Sequence, residues 1–236
     1  FPQALALTAA NYTLASFATA GLETVFAAAW VLFALERAVR ERPMTAGLAG
    51  ICATLAHPDH LLFYAALGLA LLWTTRSLRQ ALRYAAPFLL IFVPYFLWRW
   101  QYYGDLFPNT YYAKSGGDAY FRQGGVYLLV SAIGSGALLL APLAAWGGWK
   151  LRATLIGRFC LVALPLYLFY VARIGGDFML GRLLTTAFPL LYLLKEPLAL
   201  HILTLIALGY WITRRTRTGL SPVRKWVHDH FTEFSA

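Results

Sequence analysis

Charged residues are scarce in this sequence. They make up 13% of its 236 residues, whereas hydrophobic residues make up 60%, and the mean hydropathy is +0.59. A soluble domain carries about 25% charged residues, so this composition excludes a chain whose main solvent is water. Cysteine is scarcer still, because Cys52 and Cys160 stand alone in apolar stretches without CxxC or Cys/His spacing. We therefore expect no metal site and assign no disulfide.

Acidic residues are half as numerous as basic ones. The chain has 10 of the former and 20 of the latter, a formal net charge of +10 and a pI of about 9.8. In a soluble protein this balance would favour nucleic acid as a partner. Here the basic residues cluster at the ends of apolar segments, as membrane topology requires. We expect contact with membrane lipids and no nucleic-acid partner.

The apolar segments predict an all-α integral membrane protein. A bilayer crossing needs about 20 apolar residues, so this length accommodates about six or seven crossings. Residues 1–212 would form the transmembrane region, and residues 213–236 a basic amphipathic tail at the membrane surface. Because the first residue is Phe1 rather than Met, and no charged segment with a cleavage site precedes the first hydrophobic run, we expect the start to be internal to a longer protein. The expected crossings include residues 22–35, 85–98, 126–146, 155–171 and 183–194.

The middle of the transmembrane region has two interpretations. Residues 45–56 and 61–73 are apolar, and His57-Pro58-Asp59-His60 joins them. They form either an out-and-back pair with a polar tip at the outer side, or one long helix kinked at Pro58. The second alternative would invert the topology downstream. Residues 183–212 also have two interpretations. Either they form one interrupted span, or the C-terminal portion is atypical.

Two polar loops, 99–125 and 173–182, are expected on the same outer face. In the second loop, Asp177 and Arg182 lie beside an apolar helix, where an unpaired charge is costly. One interpretation is a tight turn in which the two residues pair. The other is a site for an anionic membrane-bound ligand, whose phosphate Arg182 or Arg173 clamps through a planar set of donors. Asp177 would then orient Arg182 or hold a sugar hydroxyl.

The first polar loop combines aromatic rings with an acid, an amide and an ammonium group, on Tyr103, Asp105, Asn109 and Lys114. This mixture suits carbohydrate, which stacks on rings and accepts hydrogen bonds. On composition alone, the loop is better explained as an interfacial one whose aromatic residues anchor in the headgroups, with Lys114 contacting lipid phosphate.

A third candidate is Asp59, which lies between His57 and His60 at a helix break. An acid beside imidazole groups could transfer protons or bind a divalent ion. Pro58 followed by Asp59 is also an ordinary helix start. Glu23, at the start of an apolar segment, is explained by the favourable position of an acid at a helix N-terminus.

Three segments together resemble a known family. Gly-Leu-Glu-Thr at 21–24, Tyr-Tyr-Gly-Asp to Asn-Thr-x-x-Ala-Lys at 102–114, and Gly-Gly-Asp-Phe-Met-x-Gly-Arg at 175–182 resemble GT-C fold polyprenyl-phosphate-dependent glycosyltransferases. The similarity is greatest to the terminal arabinofuranosyltransferases of actinobacterial cell walls and their bacterial relatives. It implies transfer of a sugar such as arabinofuranose from a polyprenyl-phosphate donor to a cell-envelope glycan or lipid. The reaction would take place on the extracytoplasmic face of the bacterial inner membrane.

The resemblance also implies roles for residues. A carboxylate base deprotonates the acceptor, while cations or a divalent metal hold the departing phosphate, so Arg182, Lys114 and Arg173 are expected at the phosphate. Family members place the catalytic acid in a first outer loop, which would precede Phe1. Asp59 and Asp177 are then the catalytic candidates within this sequence.

The sequence also departs from the family's pattern, because similar relatives more often have Arg-Pro-acid-Gly where this chain has His57-Pro58-Asp59-His60. A membrane transporter or lipid flippase, or an inactive fragment of the enzyme, is the alternative function. The concentration of polar residues in loops favours a reaction chamber over a permeation path.

Overall fold

The computed structural model describes residues 2–106 and 119–194, which form helices with no strand among them. The predicted all-α class is confirmed for this part of the chain. A 3-10 turn lies at Pro58–His60, a π-helical segment at Phe88–Phe92 and a second 3-10 turn at Arg182–Leu184. The α-helices are, in order, α1 (Pro2–Ala10), α2 (Tyr12–Thr19), α3 (Glu23–Val39), α4 (Pro43–Ala56), α5 (Leu61–Thr75), α6 (Leu78–Pro87), α7 (Val93–Tyr103), α8 (Phe121–Gly134), α9 (Ala137–Leu151), α10 (Leu155–Arg173) and α11 (Ala187–Leu193).

Two helical stretches are long and apolar enough to cross a membrane. One is the continuous helix Leu78–Tyr103, with 26 residues, and the other is α10, with 19. The pairs α2 with α3 and α8 with α9 would raise the number to four, but they bend by 115° and 92°. The expected six or seven crossings are therefore not confirmed. The 14 residues of α4 extend only about 21 Å, short of a hydrocarbon core of about 30 Å.

Residues 126–146, predicted as one crossing, do not form a single continuous helix. The chain breaks between α8 and α9, where Gly136 adopts a φ of 71° and precedes the first residue of α9. A left-handed residue cannot continue a right-handed helix, and glycine adopts that conformation without a steric penalty. The apolar composition of the segment concealed this change of direction.

The helices α4 and α5 form the out-and-back pair. In a continuous helix, positions 50 and 64 would lie about 21 Å apart. Instead, a Cβ atom added to Gly50 would lie 2.6 Å from Cδ2 of Tyr64. Because Pro58 has no backbone N–H to continue the hydrogen-bond pattern of α4, the chain reverses at a 3-10 turn. The alternative of one long kinked helix is excluded.

The core of the bundle lies between α5 and α10, with α4 and α6 beside it. Phe63 of α5 packs against Tyr167 of α10, with ring centroids 4.5 Å apart. Small residues let the backbones approach, as in other membrane bundles: a Cβ on Gly47 would lie 2.2 Å from the carbonyl oxygen of Tyr84. The hydroxyls of Tyr64 and Tyr84 each donate to the other residue's carbonyl oxygen at 2.9 Å. These contacts hold α4, α5 and α6 as one unit.

The two ends of the bundle differ in chemistry. At one end, Arg158 near the start of α10 donates to the carbonyl oxygen of Trp73 at 2.9 Å, and Arg37 and Arg40 pair with Glu36. The opposite end, called the polar end below, comprises the start of α3, the α4–α5 turn and residues 174–186. The described borders of the two polar loops also meet there, because the Tyr120 N–H donates to the Arg173 carbonyl at 2.8 Å.

Candidate functional site

His57 lies between two carboxylates at the polar end. Its Nε2 is 3.8 Å from Oε1 of Glu23, and its Nδ1 is 3.7 Å from Oδ2 of Asp59. The extended backbone of His57, which ends α4, and the 3-10 turn that Pro58 begins place the two side chains close together. The His57 side chain is buried, at 9% exposure, so the two carboxylates lie on either side of a ring that is largely out of contact with solvent. Glu23, which sequence reasoning explained by the helix start alone, is thus part of the site.

His60 has a structural role. It is 2% exposed, its Nε2 lies 2.7 Å from Oγ1 of Thr186, and its ring packs 5.3 Å from that of Phe63. Burial, and secondarily the charge of His57, lowers the pKa of His60 to about 3. His60 is therefore neutral at physiological pH. It ties the α4–α5 turn to the chain that follows Arg182.

Asp177 and Arg182 form an ion pair. Arg182 Nε lies 2.8 Å from Asp177 Oδ2, and the Asp177 side chain is 3% exposed. The second carboxylate oxygen accepts the backbone N–H of Phe178 at 3.0 Å. Of the two interpretations of this turn, mutual pairing is present in the structure. The Arg182 guanidinium group also donates from Nη1 to Sδ of Met179, at 3.8 Å.

The glycines of the 174–186 loop adopt conformations that other residues avoid. Gly175, Gly176 and Gly181 have φ values of 84°, 80° and 78°. A Cβ on Gly176 would lie 2.3 Å from Cγ of Tyr127, and one on Gly181 would lie 2.8 Å from Cγ2 of Thr13. The loop thus requires glycine for both backbone conformation and space. Sequence reasoning did not find Tyr127 or Thr13, because neither belongs to a recognisable motif.

The α4–α5 turn and the glycine-rich loop meet at His60, whose Nε2 lies 2.7 Å from Oγ1 of Thr186 and whose ring lies 6.4 Å from that of Tyr167. The polar end therefore carries three carboxylates, the His57 imidazole and a guanidinium group, although they come from distant parts of the chain. Among residues 2–106 and 119–194, no three His, Cys, Asp or Glu side chains are grouped so as to hold a metal ion.

The other predicted site residues lie at or beyond the edge of this cluster. Arg173 is the last residue of α10 and is exposed, and Tyr103 and Asp105 are exposed at the end of α7. The carbonyl oxygen of Asp105 accepts a hydrogen bond from Arg99. Asn109 and Lys114 lie outside the described residues, as do the expected tail at 213–236 and the interpretations of the chain after Leu194.

The sequence is similar to that of one curated enzyme. Over 151 residues it is 32% identical to the terminal beta-(1->2)-arabinofuranosyltransferase of Corynebacterium glutamicum. The match covers 55% of this chain and 22% of that protein, so the matched stretch spans about one fifth of the relative's length. No family model and no solved structure matches the chain. Over slightly more than half of its length, the chain is thus related in sequence to a glycosyltransferase.

Proposed function

We propose that this chain is part of a GT-C-like membrane glycosyltransferase that moves a sugar from a polyprenyl-phosphate donor to a cell-envelope glycan or lipid. The observation that carries the proposal is that Glu23, His57 and Asp59 lie at the same end of an apolar bundle as the Asp177–Arg182 pair, where His60 joins the two segments through Thr186. The relative's name specifies arabinofuranosyl transfer, so arabinofuranose is the first sugar to test.

The proposed donor site is centred on Arg182. Negative charge grows on the phosphate as its bond to the sugar breaks, and guanidinium donors stabilise that charge. Arg173, exposed at the end of α10, and Lys114 would complete the phosphate site. Asp177, already 2.8 Å from Arg182, would orient the guanidinium group or hold a sugar hydroxyl. Tyr103, Asp105 and Asn109 are proposed to contact the sugar or the acceptor.

The proposed base within this chain is Asp59. As the acceptor oxygen attacks the anomeric carbon, its proton passes to a carboxylate and the phosphate leaves with the electrons of the broken bond. His57 lies 3.7 Å from Asp59 and 3.8 Å from Glu23, where it would orient the Asp59 carboxylate. Asp177 is engaged with Arg182, so we place it at the phosphate rather than at the acceptor hydroxyl.

We propose that the polar end faces the extracytoplasmic side of the bacterial plasma membrane. The opposite end carries Arg37, Arg40 and Arg158. Lysine and arginine are enriched in cytoplasmic loops of membrane proteins. Sugar transfer at the polar end would therefore occur outside the cell, where a lipid-linked donor replaces a nucleotide sugar.

Binding of a radiolabelled polyprenyl-phosphate arabinofuranose to the purified chain in lipid nanodiscs tests this proposal. We expect saturable binding that Arg182→Ala abolishes and Asp177→Asn weakens by about tenfold or more, since each change breaks a buried charged pair. Arg152→Ala is the matched control, because Arg152 is exposed at the opposite end of the bundle and bonds to its own turn at Trp149. Absence of saturable binding to the native chain would favour a transporter, a flippase or an inactive fragment instead.

A further inference from the structure

We infer that Tyr127 is the positioning residue that holds Asp177 and Arg182 in their paired geometry. The inference concerns how the site is built, and its consequence for donor binding rests on the function proposed for that pair. Tyr127 lies on α8, 50 residues away from Asp177 along the chain, and is 7% exposed.

The Tyr127 hydroxyl makes two hydrogen bonds to the glycine-rich loop. It donates to the carbonyl oxygen of Met179 at 3.3 Å and accepts the backbone N–H of Leu183 at 3.2 Å. Leu183 directly follows Arg182, and Met179 lies between the two members of the ion pair. One oxygen atom thus fixes the separation of two backbone groups within the segment that carries both charges.

The Tyr127 ring fixes the loop at a third point. Any Cβ at position 176 would lie 2.3 Å from Cγ and 2.6 Å from Cβ of Tyr127. Gly176 therefore lies directly on the ring, and Asp177 is the next residue. The ring thus fixes the backbone position from which the Asp177 side chain extends. The hydroxyl fixes the corresponding position for Arg182.

Tyr127 can act in this way because α8 is held rigidly. The Cβ of any residue at position 124, one turn before Tyr127, would lie 2.1 Å from the carbonyl oxygen of Ala172 in α10. The Tyr120 N–H donates to the carbonyl oxygen of Arg173, and the Gly176 N–H donates to that of Val171. The loop and Tyr127 are consequently both attached to the C-terminal turn of α10.

Removing only the hydroxyl tests this role. In Tyr127→Phe, the buried Leu183 N–H loses its partner, and the loop must relax to find another. We expect about a tenfold or larger loss of affinity for the radiolabelled polyprenyl-phosphate sugar. Tyr64→Phe is the matched control, because it deletes another tyrosine hydroxyl bonded to a backbone carbonyl, that of Tyr84. It should leave donor affinity within about twofold of native.

Two further measurements separate positioning from general destabilisation. In the Asp177→Asn background, where weakened binding can still be measured, Tyr127→Phe should cause a smaller additional loss than in the native chain, because the pair that the tyrosine positions is already broken. The Nε–H signal of Arg182 in ¹⁵N-arginine NMR, assigned with Arg182→Lys, tests the geometry without any donor. We expect slow hydrogen exchange in the native chain and fast exchange in Tyr127→Phe, with native exchange in Tyr64→Phe.

The outcomes distinguish this inference from the proposed function. An unchanged Arg182 signal in Tyr127→Phe, or native donor affinity of that variant, would overturn the positioning role. The native chain could instead fail to bind donor while its Arg182 signal responds to Tyr127→Phe. That result would contradict the proposed function and support the positioning role.

Discussion

Gly176→Ala is the substitution that tests the loop geometry most directly. Position 176 combines a φ of 80° with a Cβ site 2.3 Å from Cγ and 2.6 Å from Cβ of Tyr127. The backbone of Tyr127 fixes the position of its Cβ, so no side-chain rotation can relieve that contact. Either the loop or α8 must shift to accommodate one methyl group.

The cost has two parts. A left-handed conformation costs a non-glycine residue about 1–2 kcal/mol, and overpacking of a well-packed site costs about 1–3 kcal/mol. The sum is about 2–5 kcal/mol of unfolding free energy. In a domain of this size, that loss lowers Tm by roughly 4–20 °C. Because the loop carries Asp177 and Arg182, donor binding should fall as well.

Thermal unfolding in nanodiscs, with two matched variants, checks the reasoning. Gly136→Ala tests strain alone, because Gly136 has a φ of 71° but no atom within 4 Å of its Cβ site. Gly125→Ala introduces neither strain nor a close contact, since Gly125 is helical and its Cβ site is open. This variant should gain up to about 1 kcal/mol of unfolding free energy. If Gly176→Ala were no more destabilising than Gly136→Ala, the Tyr127 contact would not restrain the loop.

Two further predictions concern stability. Because burial lowers the pKa of His60 to about 3, the unfolded chain, with an ordinary histidine pKa of about 6.5, binds one more proton between these values. Stability should therefore fall as pH decreases through this window, by up to about 1.4 kcal/mol per pH unit, and His60→Gln should remove this contribution from the pH dependence of unfolding. Asn11→Ala should lower unfolding free energy by about 1–3 kcal/mol, measured by denaturant titration, because it deletes the cap on Leu14 N–H and leaves the buried Tyr192 hydroxyl without this donor. An unchanged midpoint would contradict the buried contact.

The ends of several helices were predictable because their signals are local. The sequence indicates a helix over 155–171, and the structure has α10 at Leu155–Arg173. Likewise, residues 45–56 and 61–73 correspond to α4 and α5. Apolar runs bounded by proline, glycine or basic clusters are sufficient for such boundaries. They were not sufficient for direction, since the same hydropathy describes a straight span and the 92° bend between α8 and α9.

The candidate site was predictable only in part, for a related reason. Glycine and charge in the 175–182 segment indicate a tight turn with an ion pair, and these features depend on neighbours in sequence. The contact of Glu23 with His57, and that of Tyr127 with the loop, depend on which helices pack together. A glycine in the sequence shows that space or an unusual φ is needed at its position, but the atom that occupies the space comes from elsewhere in the chain.

The charges at the polar end follow a common physical requirement. An ionised group beside apolar helices must be paired, because its desolvation is otherwise uncompensated. Asp177 meets this requirement with Arg182, and His57 lies between Glu23 and Asp59. A donor phosphate would compete with Asp177 for Arg182, so the proposed site binds an anion without net cost only if the carboxylate gains new hydrogen bonds. In the proposed donor, the sugar hydroxyls would supply such bonds to Asp177.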